Sequence, residues 1–105
     1  MKQAIEAAQK IYAFLSQVKP EAMSADAKYA LSKDTEYITR CIHILNTADH
    51  EAVRSLWSEV QYLSRFFGGD YARGNNASRL AELSEDFKEA LLNQIQDSTP
   101  PRPTH

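Results

Sequence analysis

Apolar side chains recur at intervals of three and four residues in four separate stretches of this chain, and each stretch runs into its own breaker. That spacing lines the apolar side chains along one face of a helix, because about 3.6 residues complete a turn. A strand would require alternation with a period of two, and no alternating β-branched run is present. The sequence therefore predicts an all-α, single-domain antiparallel four-helix bundle, with helices at about residues 2–18, 24–45, 48–67 and 77–96. Short connections between consecutive helices favour the up-down-up-down arrangement.

In the first helix Ile5, Ala8, Ile11, Tyr12, Leu15 and Val18 share a face, and Pro20 ends the pattern. Ser24 is the expected N-cap of the second helix, with Asp26 in its first turn, where the helix dipole favours a carboxylate. The inward arc of that helix is Ala27, Leu31, Ile38, Cys41, Ile42 and Leu45, widened on one side by Tyr37 and Ile44. Asn46 and Thr47 then break the pattern, and either of them or Asp49 can cap a third helix with Val53, Leu56, Trp57, Val60, Leu63 and Phe67 facing inward. Gly68 and Gly69 are the expected stop. Residues 68–76, GGDYARGNN, carry turn chemistry and form the one long internal loop, after which Asn76 is placed to cap a fourth helix. Leu80, Leu83, Phe87, Ala90, Leu91 and Ile95 are its inward set. Residues 1–97 thus form the helical domain, and the proline-rich residues 98–105 are expected as a flexible tail.

Composition narrows the classes of function. A hydrophobic content of 43% suffices for a core without staples. A net charge of -2, from 14 acidic and 12 basic residues, creates no cationic field, so neither nucleic acid nor a membrane surface is an expected partner. The single cysteine, Cys41, excludes an internal disulfide and a zinc site of paired thiolates, and its place on an apolar face gives it a packing role. No signal-peptide run appears between Met1 and Ile11, and no segment approaches the roughly 20 apolar residues of a membrane span. A soluble cytoplasmic protein is expected.

Reactive constellations are equally sparse. His43, His50 and His105 share no helical face at metal-ligand spacing, and Arg40 and Thr47, not glutamates, precede the first two by three residues. Ser32, Ser55 and Ser64 lie within helices, away from any strained turn or activating base. Gly68 and Gly69 lack the lysine and hydroxyl of a phosphate loop. No catalytic residue, metal ligand or cofactor site is nominated, and the chain does not read as an enzyme.

Three features remain. Asp34 falls on the inward side of the second helix, where a carboxylate needs either an internal donor, such as a tyrosine, the Trp57 indole or Arg65, or a ligand reached by local opening. Glu82, Glu85, Asp86 and Glu89 make an acidic stripe relieved only by Lys88, which is either a solvated face or a surface for a basic partner. Tyr71 and Arg73, on the glycine-rich loop, are residue types enriched at binding hot spots, although a tyrosine can equally pack back over the helix ends.

The segment LSKDTEYITRCIHIL (Leu31 to Leu45), with Tyr37 and Ile38 followed by Arg40, leads through a short acidic turn into AVRSLWSEVQYLSRFF (Ala52 to Phe67), which has Arg65 near its end. A polar connection then reaches a last helix containing RLAEL (Arg79 to Leu83). Over roughly residues 24–92 this layout resembles the small all-helical immunity proteins that protect bacteria from type VI secretion effectors, in particular those neutralising NAD(P)-hydrolysing toxins. The glycine-rich loop is longer than the connection expected in that family. The resemblance implies a stoichiometric inhibitor that covers a toxin's active-site cleft and performs no chemistry itself. On that reading Lys33, Tyr37, Arg40 and Ile44, which share a stripe of the second helix, are the first candidate contact face, and Tyr71 with Arg73 the second. Two other readings stay open. One is a helical adaptor or self-associating module, in which the apolar arc also serves a homodimer seam. The other is a bundle enzyme or small-ligand carrier, which needs a polar cavity around Asp34.

Overall fold

The computed structural model describes residues 2–19, 23–47, 49–60, 71–72 and 74–98. Among them are four α-helices and no strand: α1 (Lys2–Gln17), α2 (Ala25–Thr47), α3 (His50–Val60) and α4 (Asn75–Ser98). Helix α1 ends one residue before the expected 18; the expected breakers Pro20, Gly68 and Gly69 lie outside the described residues, as do Leu63, Arg65, Phe67, Arg73 and residues 99–105.

Local chemistry accounts for the helix starts. Ser24 caps α2: its Oγ accepts the Ala27 N–H at 3.2 Å while its carbonyl accepts the Lys28 N–H at 3.0 Å. Of the three residues able to cap the third helix, Asp49 does so, its Oδ1 accepting the N–H groups of Glu51 and Ala52 at 3.0 and 3.3 Å. Asn46 and Thr47 are instead the last two residues of α2, because the Thr47 hydroxyl donates to the Ile44 carbonyl at 2.6 Å and stays with the helix it closes. The fourth helix departs from expectation at its start. Gly74, at φ 59°, turns the chain, and its carbonyl accepts the Ser78 N–H at 3.2 Å, so Asn76 lies within the first turn and is not the cap. Glycine adopts that left-handed conformation without a Cβ clash. The helix also reaches Ser98, one residue past the expected domain edge.

Helix α1 packs against α2 and α4, and α3 packs against the same two. The core they enclose contains Ile11 and Leu15 of α1, Ile38, Cys41 and Leu45 of α2, Leu56 and Val60 of α3, and Leu80, Phe87 and Leu91 of α4. These are the apolar positions set by helical spacing, and burying each large side chain stabilises the fold by roughly 1.5–3 kcal/mol before conformational entropy is counted. On α1 the arc centres on Ala4, Ala8, Ile11 and Leu15, all buried, so Tyr12 falls at its margin and is 43% exposed. The predicted inward placement of Tyr12 is corrected accordingly. The two alanines let α1 approach its neighbours closely. Among the described residues one polar side chain is buried with the core: Ser84 of α4, whose hydroxyl donates to the Leu80 carbonyl at 2.8 Å within its own helix.

Candidate functional site

At 100° per residue, Tyr29, Lys33, Tyr37, Arg40 and Ile44 fall within about 80° of arc on α2, on the flank away from Ile38 and Leu45. Cap and core together set this flank. Ser24 fixes where the helix begins and the buried arc fixes its rotation, so the stripe has one orientation. Tyr37 and Ile44 are half-buried and packed against the core, whereas Lys33 and Arg40 are exposed. Tyr29 is 65% exposed, the most exposed large apolar side chain among the described residues. Sequence reasoning passed over it, because a tyrosine outside the apolar arc carries no signal in a periodicity argument.

Arg40 is held from two sides. Its Nη2 donates to both carboxylate oxygens of Glu59 on α3, at 2.9 and 3.2 Å, and its guanidinium lies over the Tyr37 ring, 5.3 Å from the centroid. The Tyr37 hydroxyl donates to the same Glu59 carboxylate at 3.1 Å. Partial burial first, and then the negative charges of a Cys41 thiolate and of Glu59, push the Tyr37 phenol well above its usual range; Arg40 opposes them. The hydroxyl therefore stays protonated and remains a donor. Two turns towards the N-terminus from Arg40, Lys33 repeats the pattern more loosely, with its Nζ 5.4 Å from the Tyr29 ring centroid and 3.5 Å from Glu36. Two cation-on-tyrosine pairs thus occupy one stripe, a contact worth about 0.5–1 kcal/mol each at exposed sites.

The second candidate face is arranged differently. Tyr71 is only 5% exposed and its neighbour Ala72 is also buried, so this part of the glycine-rich loop inserts into the core. The Tyr71 hydroxyl donates to Asp34 Oδ2. This bond supplies the internal donor that the inward position of Asp34 requires, and it comes from a tyrosine, one of the three donor types considered. Tyr71 consequently offers no outer surface. Arg73, its expected companion, lies outside the described residues.

Two further features complete the surface. A groove of about 330 Å³ runs between α1 and α4, with Glu6, Lys10, Asp86 and Glu89 on its rim and Ala7 and Leu83 in its floor. Two residues of the acidic stripe, Asp86 and Glu89, therefore border a depression, while Lys88 is 3.8 Å from Glu85. Burial pushes the Cys41 thiol up to about 12, so at neutral pH it is a packed thiol and not a nucleophile. Among the described residues no three histidine, cysteine, aspartate or glutamate side chains gather as a metal site would require, and no helix is long and apolar enough to cross a membrane.

No family model matches the chain, and neither curated proteins nor solved structures yield a significant match.

Proposed function

We propose that this protein is an immunity-type inhibitor that binds a cognate antibacterial toxin and occludes its active site, acting in the cytoplasm and performing no chemistry itself. The observation that carries the reading is the outer stripe of α2, where Tyr37 and Arg40 are already fixed by Glu59 before any partner arrives. Tyrosine and arginine dominate binding hot spots, and side chains ordered in advance lose little entropy on association. An interface of roughly 1,600 Å² built around such anchors is compatible with very tight binding. The resemblance of residues 24–92 to immunity proteins of type VI secretion effectors supports the same reading. We further infer an antiparallel arrangement of α2 and α3: Arg40 and Glu59 are 19 positions apart yet bonded, as they would be if α3 doubled back at Asp49.

Co-expression with the product of the adjacent reading frame tests the proposal. A stable complex and relief of toxicity are the expected results. Absence of both refutes the reading, and a dimer in light scattering with no toxic neighbour would favour an adaptor or self-associating module in its place.

A further inference from the structure

We propose that the outer stripe of α2 is a carboxylate reader, in which Lys33 and Arg40 receive two carboxylate side chains of a partner protein that are about 10 Å apart. This rests on the reading of the stripe as a contact face and adds the chemistry of what it contacts. Lys33 and Arg40 are seven residues apart, which is two helical turns, a rise of about 10.5 Å and an angular offset of about 20°. They therefore point to the same side but are too far apart to converge on one small anion such as a phosphate. Two separate anions at matching distance fit them better.

Both cations retain donors for such a contact. The bonds from Arg40 to Glu59 come from Nη2 alone, and the side chain is 55% exposed. A guanidinium carries five N–H donors in a fixed fork, so its Nε and Nη1 hydrogens remain for an incoming carboxylate. Glu59 does not close the site. Its charge is already shared between Arg40 and the Tyr37 hydroxyl, and it acts as the strut that holds the fork in place. Lys33 has three N–H donors and only the long, exposed contact to Glu36, a pair that contributes little and yields readily to a better acceptor. The stacking of each cation on its own tyrosine limits the side-chain freedom that binding would otherwise remove. Exposed Tyr29 beside Lys33 places an aromatic ring next to the first carboxylate site, so the partner surface carries an apolar side chain there.

The test uses the full-length, isotope-labelled protein and a synthetic helical peptide with glutamates at positions i and i+7. Titration is expected to give saturable shifts of the Arg40 side-chain N–H and of the Tyr29 and Tyr37 ring signals. The same peptide with glutamines, or with its glutamates at i and i+3, should bind at least tenfold more weakly. Absent shifts, equal binding of the glutamine peptide, or tighter saturation of the same signals by inorganic phosphate overturns the proposal. In a second arm, the Lys33→Gln/Arg40→Gln double variant should bind the adjacent-frame product at least a hundredfold more weakly with unchanged helicity. If the double variant binds it as well as the unaltered chain does, the carboxylate proposal fails while the inhibitor reading stands. If the peptide binds as expected but the adjacent-frame product is not recognised, carboxylate reading stands and the inhibitor reading fails.

Discussion

Within two turns of α2 the protein makes two polar contacts to distant parts of the chain, and they have opposite characters. Asp34 accepts a bond from Tyr71 in partly buried surroundings, where an unmet carboxylate would be expensive. Arg40 and Tyr37 meet Glu59 at an exposed edge, where water would satisfy all three. The inner contact is therefore a constraint on the fold, fixing Tyr71 against α2. The outer one adds little stability, and what it fixes is the pose of an arginine. The two contacts thus differ in what they hold: the partly buried one seats a loop residue on α2, and the exposed one orients an arginine.

The sharpest way to break the comparison is to remove the inner contact entirely. Tyr71→Ala deletes a buried ring as well as its hydroxyl and should cost about 3–5 kcal/mol, lowering Tm by more than about 10 °C. A loss no greater than that of Arg40→Ala would show that the two contacts do not differ in kind.

Next in size is an alkaline effect on the inner face. The Cys41 thiol titrates near 12 in the folded chain against an ordinary value of 9.0, so above about pH 9 the unfolded chain releases a proton that the folded chain keeps. The stabilisation is complete below pH 9 and is lost as pH rises towards 12, by up to about 1.4 kcal/mol per pH unit. Urea midpoints at pH 7.5 and 10.5 should therefore diverge more for the unaltered chain than for Cys41→Ala.

Tyr71→Phe isolates the hydroxyl. It should cost about 1–2 kcal/mol in chemical denaturation, since the ring stays and the bond to Asp34 goes. The smallest effect belongs to the outer face: Arg40→Gln should change stability by less than about 1 kcal/mol, while weakening partner association measured in parallel. A large stability loss with unchanged association would reverse the assignment of roles.

Much of this division was legible in the residues themselves. Ser24 and the spacing from Ala27 to Leu45 fixed the rotation of α2, which is why Asp34 stood out as a carboxylate on the wrong side. Which tyrosine answers it was not legible, because Tyr71 is 37 positions from Asp34, in a segment whose sequence carries no periodicity. Its enrichment at hot spots pointed outward, and the structure turns it inward. Glu59 was overlooked for a related reason: an acidic residue on the polar side of a helix is unremarkable until the neighbouring helix brings Arg40 alongside. Tyr12 shows the limit of arc counting, since it has the spacing of the apolar face and is nonetheless 43% exposed. Asn76 was the expected cap of the fourth helix, and the turn is made instead by the backbone freedom of Gly74, which the sequence reading did not consider.

The bond between Tyr71 and Asp34 clasps the stretch that includes the second half of α2, all of α3 and Glu59. The same link ties the two ends of that stretch to each other, so loosening it is expected to loosen the seating of α3 along with the loop residue.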